Sequence, residues 1–248
     1  MRIQRGTRAI VTGASRGIGR ALSVELAGRG ARLGLMARGK EGLDEVSAKL
    51  PESPDGAHVT AAADVSKWGQ TSKAIDRLAK RLGGIDLLVV NAGVLHYGPF
   101  AEQELAEAEA MVQVNVLGAM YTVKAALPHM LSGSGGHIVV LSSAAGLRSF
   151  PWGAVYGGTK AFDRGFAEAL RHELAGSGIS VTTVYPGEYG TTILAHQRER
   201  LPAWRSNDEE RPVSELVDAS SKALRATPGR STPRRSYGSW ASAASCPG

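Results

Sequence analysis

The chain has 248 residues, 43% of them hydrophobic, with 29 lysines and arginines against 23 acids and one cysteine. That length and apolar share suit one large α/β domain, no apolar run reaches the ~18–20 residues of a membrane span, and a lone cysteine rules out a disulfide framework or a cysteine-held metal. The net charge of +6 gathers at the end, where Lys222, Arg225, Arg230, Arg234 and Arg235 follow Ser221 with no acid among them, so the body of the chain is close to neutral.

The opening MRIQRGTRAIVTG lacks the long apolar region of a secretory signal, and with the unpaired Cys246 it points to a cytoplasmic protein. RAIVT (Arg8–Thr12) predicts a buried strand, and Ile18, Leu22 and Leu26 predict a helix stopped at Gly28–Gly30. A second strand is expected over Ala31–Ala37, a helix over 41–50, a third strand over Ala57–Asp64 and a helix over 69–82. IDLLVV (Ile85–Val90) is apolar throughout, as a strand covered on both faces should be. Gln103–Met130 reads as mostly helix and His137–Ser142 as a fifth strand. Val155, Tyr156, Phe162, Phe166, Leu170 and Leu174 recur at helical spacing, and Ile179–Tyr185 forms a sixth strand cut by Pro186-Gly187. Six strand–helix repeats imply an α/β, doubly wound Rossmann-type parallel sheet with helices on both faces, a three-layer α/β/α domain over 1–225. Residues 188–212 are expected to cover the mouth of a site, and 226–248 to form a poorly ordered basic tail rich in Ser, Pro, Gly and Arg. No seventh strand is evident.

TGASRGIGR (Thr12–Arg20) admits two chemistries. Gly13-Ala-Ser15-Arg-Gly17 matches the G-x-S-x-G elbow of a serine hydrolase. Gly13, Ser15, Arg16, Gly17, Ile18 and Gly19 also match a glycine turn that holds a phosphate at a helix start. Position decides: the glycines follow the first strand and open the first helix, where a phosphate cradle belongs, whereas a nucleophile elbow lies several strands in. Asn91, Ala92 and Gly93 end the fourth strand, Ser142 and Ser143 the fifth, and Pro186-Gly187 the sixth, all on the carboxyl rim of such a sheet. Tyr156 and Lys160, at i and i+4, share one helix face.

These motifs, with Asp64-Val65 and Asn115, stand in the order and near the spacing of the short-chain dehydrogenase/reductase family, which the sequence resembles from about Thr7 to Thr192. The departures are VVNAG where many members have two asparagines, two glycines inside Tyr-x3-Lys, and the end of the chain. The resemblance implies an oxidoreductase interconverting a ketone and a secondary alcohol. Tyr156 would be the general acid/base, with Lys160 beside it binding the nicotinamide ribose. Ser143 would hold the substrate oxygen, and Asn115 a water that links Lys160 to solvent. A free phenol titrates near 10, and a cation one helical turn away stabilises its anion. Choosing Ser143 over Ser142 rests on family spacing alone. Asp64 and Val65 match positions beside adenine, with helix capping as a rival role for Asp64; Thr191 joins Asn91, Ala92, Gly93, Pro186 and Gly187 among the cofactor contacts.

An NAD enzyme would carry an acid at the end of the second strand. Here Ala37 is followed by Arg38, and Arg16 sits in the glycine turn, so the pair suits a 2′-phosphate and the expected cofactor is NADP(H). His58, His96, His129, His137, His172 and His196 form no ligand spacing, so no metal is expected. The substrate is expected to be a small carbonyl or alcohol: a broad-specificity carbonyl or steroid-type compound, or a 3-oxoacyl-carrier-protein. The resemblance also implies a homodimer or homotetramer through the helices 103–130 and 154–175; the short apolar runs and the near-neutral body of the chain give the expectation of no membrane span and no specific nucleic acid. A non-catalytic dinucleotide-binding protein and a tail-borne polyanion binder are the readings from other classes.

Overall fold

The computed structural model describes residues 3–187, Tyr189, Gln197, Arg200, Leu201 and 212–216. Six strands, β1 (Arg8–Thr12), β2 (Arg32–Ala37), β3 (Val59–Ala62), β4 (Leu87–Val90), β5 (Gly136–Leu141) and β6 (Ile179–Val184), form one parallel sheet in the order β3-β2-β1-β4-β5-β6. Helices α1 (Gly17–Gly28), α2 (Lys40–Lys49), α3 (Trp68–Leu82), α4 (Leu105–Met111), α5 (Gly118–Leu131) and α6 (Ala154–Glu173) supply the connections. The expected doubly wound three-layer architecture is the one observed.

Alternation along each strand builds two separate cores. Ile10, Leu88, Val90, Ile138 and Val140 face α3, α5 and α6 through Ile75, Leu78, Val123, Ala126 and Ala167. Ala9, Val11, Leu87, Val89, Val139 and Leu141 face α1 and α2 through Leu22, Leu26, Leu43 and Val46, and Val213 packs on the same side. Every residue of β4 is buried, as its unbroken apolar sequence requires. The third strand is shorter than its apolar run suggests because His58 leaves the ladder: its Nδ1 accepts from the Leu33 amide at 3.1 Å, and its Nε2 lies 2.9 Å from the Pro51 carbonyl.

The helix expected over 103–130 is real but not regular. Val112–Leu117 is a π-type turn joining α4 to α5, and it carries the buried Asn115. Its residues are apolar at helical intervals, so periodicity cannot reveal the extra residue in the turn. Leu105–Leu131 is long and apolar enough to cross a membrane by composition. In this fold its inner face, including Met111, Ala119, Val123 and Met130, is buried in the molecule. The lid expected over 188–212 is described only at Tyr189, Gln197, Arg200, Leu201 and Pro212; Thr191, the tail and any seventh strand lie outside the described residues.

Candidate active site

The sheet order reverses between β1 and β4, and a crevice opens beyond the carboxyl ends of those strands, as the topology dictates. It is a cleft of about 440 Å³. Gly13, Ser15, Arg16, Gly17, Ile18, Arg38, Asp64, Val65, Asn91, Ala92, Gly93, Ser143, Tyr156, Lys160, Pro186 and Gly187 all line it. Gly19 and Asn115 sit directly behind this wall. Segments far apart in sequence are thus gathered around one cavity.

The glycine turn is locked to the NAG segment by Thr12, which is fully buried. Its Oγ1 accepts from the amides of Asn91 (3.0 Å) and Ala92 (3.2 Å), while Asn91 Nδ2 donates to the Thr12 carbonyl at 2.8 Å. Gly13 adopts φ +66°, and a Cβ there would lie 2.8 Å from Asn91 Nδ2; one on Gly19 would run into the Gly13 carbonyl. The turn therefore needs glycine for backbone shape and for close approach. Helix α1 then begins with no side-chain cap and no acid in its first turn. Its first amides and the positive end of its dipole face the cleft.

Ser142 and Ser143 are adjacent but differently committed. The Ser142 hydroxyl is buried and donates to the Lys160 carbonyl at 2.7 Å, tying β5 to α6. Ser143 is half-buried on the cleft wall, and its Oγ accepts from the Ala145 amide at 3.2 Å, leaving its proton to donate. Geometry thus separates two serines that sequence separated only by spacing. Asp64 does not cap α3, whose N-cap is Lys67. Its Oδ1 instead accepts from the Ser66 amide (2.9 Å) and hydroxyl (2.8 Å), closing a local turn at the cleft edge.

Lys160 is buried, and its Nζ donates to the Leu141 carbonyl at 2.8 Å and to Asp163 Oδ2 at 2.9 Å. A Cβ on Gly93 would sit 3.8 Å from Nζ and 3.3 Å from Asn115 Oδ1, so lysine and asparagine meet beneath Gly93. Burial works against the ammonium, but the charges of Asp163 and Tyr156 outweigh it and hold the Lys160 pKa above its ordinary value. Asn115 accepts from the Val94 amide (2.8 Å) and donates to the Val94 carbonyl (2.9 Å) and Thr159 Oγ1 (3.0 Å). Both amide protons are used, and one lone pair on Oδ1 has no partner among these bonds.

Asp163 escaped the sequence reading. The signal was available: Tyr156, Lys160, Asp163, Ala167 and Leu170 share one inward stripe of α6, and an acid amid buried positions needs a partner.

Beyond the lysine the wall turns apolar. Leu95, Tyr97, Phe150, Tyr156 and Leu201 form a cluster, with Tyr189 also on the cleft. Gln197 Oε1 accepts from the Tyr97 amide at 2.9 Å. Arg200 holds Glu107 with two bonds of 2.7 and 3.0 Å, and His96 Nδ1 lies 3.3 Å from the same carboxylate. Gln197 and Arg200, from the segment expected to cover the site, are thus tied to Tyr97 and Glu107. Among the described residues no three His, Cys, Asp or Glu side chains gather as metal ligands.

The sequence pattern of the short chain dehydrogenase family matches residues 7–202, and the chain belongs to that family of oxidoreductases. It is 37% identical over 187 residues to an oxidoreductase of Listeria innocua, covering 75% of each chain. Its fold matches the Thermococcus sibiricus alcohol dehydrogenase complexed with 5-hydroxy-NADP, with a TM-score of 0.79 and 27% identity over 90% of this chain and 92% of that one. It also matches a 3-ketoacyl-(acyl-carrier-protein) reductase from Brucella melitensis complexed with NADH, with a TM-score of 0.80 and 26% identity over 90% and 92%. The cleft suits a dinucleotide on its own terms. A glycine cradle that a Cβ would fill, an uncapped helix start and two exposed arginines at one end are the parts that bind a phosphate-rich ligand.

Proposed function

We propose that the protein is an NADP(H)-dependent reductase of uncharged ketones, with Tyr156 as its general acid/base. The observation that supports it most is the convergence of Ser143, Tyr156 and Lys160 on one cleft wall, between a phosphate cradle and an apolar pocket. When bound, the nicotinamide supplies or accepts a hydride at the carbonyl carbon. Ser143 donates to the substrate oxygen and steers it toward Tyr156, whose hydroxyl gives that oxygen a proton in reduction and takes it back in oxidation. Lys160 holds the ribose hydroxyls and stabilises the phenolate; Asn115 fixes the Val94 backbone beside it.

Cofactor choice falls to Arg16 and Arg38. Both are exposed at the cleft edge beside Gly39, where an NAD-type acid would stand, and Lys40 is engaged with Asp44 at 2.6 Å. Two charge-assisted bonds to a 2′-phosphate, at roughly 1.5–3 kcal/mol each, suffice for a hundredfold preference. Asp64, Val65, Asn91, Ala92, Gly93, Pro186 and Gly187 contact the remainder of the cofactor. The apolar wall favours a bulky aliphatic or aromatic ketone over a small charged acid.

The outer surface supports self-association. Leu105 and Val112 are exposed on the α4–α5 rod, and Phe162 and Phe166 stack with centroids 5.4 Å apart on half-buried positions of α6. The assembly is a homodimer or homotetramer through these helices.

The deciding assay follows absorbance of the reduced nicotinamide with a panel of aryl, alicyclic and acyl-thioester ketones, each with NADPH and NADH. Turnover of apolar ketones with NADPH is expected. Indifference to both cofactors across the panel would defeat the reading.

A further inference from the structure

Among the described residues, Asp163 is the buried ionisable group beside the proposed centre that the proposed chemistry does not use. It is 1% exposed, and its two carboxylate oxygens are unequal. Oδ2 accepts from Lys160 Nζ at 2.9 Å, whereas Oδ1 is buried with no hydrogen-bond partner among the described residues. Leaving a carboxylate oxygen unsatisfied in the interior is costly: burial pushes the Asp163 pKa up against the opposing pull of Lys160, so its negative charge depends on that close cation. The ammonium has three protons: one goes to Leu141, one to Asp163, and the third is left toward Gly93 and the cleft. Two anchors thus fix the direction of the third.

The same carboxylate alters the field of the lysine. Tyr156 and Asp163 are the titratable groups that act on Lys160, both from α6. The neighbouring β5 end offers Leu141 and Ser142, and the π turn offers Asn115, none of which titrates. A bare ammonium would pull strongly on a phenolate one helical turn away, and a neutralised one pulls less.

We propose that Asp163 is a positioning residue for Lys160: its carboxylate pins the ammonium beneath Gly93 and offsets part of its charge, so that Tyr156 serves as proton donor to higher pH than beside an unpaired lysine. The inference rests on the roles given above to Tyr156 and Lys160. Asp163→Asn keeps the shape and can still accept from the lysine but removes the negative charge.

The direct readout is phenolate absorbance during a pH titration, taken as the difference between each protein and its Tyr156→Phe counterpart. The midpoint in D163N is expected about one pH unit below that of the otherwise unaltered chain, and the alkaline limb of ketone reduction should move with it. D163S, which leaves room for water beside the ammonium, should shift the same way. An unmoved midpoint in a folded variant overturns the proposal. Failure of both D163N and D163S to fold also overturns it, since Asp163 would then serve stability alone. The titration needs no substrate, so the two ideas fail separately. Full turnover by Y156F would defeat the reductase mechanism, whereas a dead Y156F with an unshifted D163N would defeat only the role of Asp163.

Discussion

The two ends of the sheet are made by the same strands and differ in how their polar groups are spent. At the amino-terminal end Arg8 donates from Nε to Asp86 at 2.8 Å and from Nη2 at 2.5 Å, and it also reaches the Gly83 carbonyl. His137, 1% exposed, pairs with Thr182 Oγ1 at 2.8 Å. Donors and acceptors there close on one another. At the carboxyl end the uncapped start of α1, the Ser143 proton and the third proton of Lys160 face a cavity, with the buried Asn115 directly behind them. Closed pairs hold the strands in register; the open groups are the ones that the proposed reductase chemistry uses. Substitutions at one end should therefore register in stability, and at the other in turnover.

The strongest test of that division is Tyr156→Phe, which should lower kcat/KM for ketone reduction by about a thousandfold. Binding of NADPH, followed by fluorescence, should persist. Next comes Arg38→Asp, expected to lower the NADPH-to-NADH ratio of kcat/KM about a hundredfold with little change in melting temperature; an unchanged ratio removes Arg38 from cofactor selection.

Smaller effects belong to the closed end. Asp86→Ala strips Arg8 of its side-chain partner in a half-buried setting and should cost about 2 kcal/mol in urea unfolding. Its kcat/KM should be retained at low temperature, and a large catalytic loss would break the division. Burial lowers the His137 pKa to about 4, against about 6.5 in an unfolded chain. The unfolded state therefore binds the extra proton first as pH falls, and the stability from a neutral His137 is complete above about 6.5 and lost toward 4. Between pH 7 and pH 4.5 this should amount to about 2 kcal/mol. His137→Phe should flatten that part of the stability–pH curve, and an equal slope in both proteins would refute the assignment.

Much of this was readable from residue order because the signals were local. Strands β1, β2, β4, β5 and β6 announced themselves as short apolar runs bounded by glycines or turns, and parallel topology placed their ends on one rim. What escaped was tertiary in origin. The π turn has no periodic signature, because its apolar residues would sit equally well in a regular helix. Asp163 reads as one acid among many until its neighbours are known to be buried. Ser142 and Ser143 are told apart in sequence by family spacing alone, and the physical difference appears only when the Ser142 hydroxyl finds the Lys160 carbonyl. Trp152, at φ +69°, is a conformation an L-residue rarely takes; its carbonyl accepts from the Gly98 amide at 3.0 Å, a long-range contact that no local propensity encodes.

The irregular turn at Val112–Leu117 has a consequence for anyone seeking to tidy this protein. Deleting one residue there would restore a uniform rod of better intrinsic geometry and leave the flanking turns nearly in phase, while moving the stretch of backbone that carries Asn115. Asn115 would then lose its grip on Val94 and Thr159, and the shelf under Gly93 would go with it. Regularity and chemistry compete for the same six positions, and a stability-guided redesign blind to that competition would discard the second to gain the first.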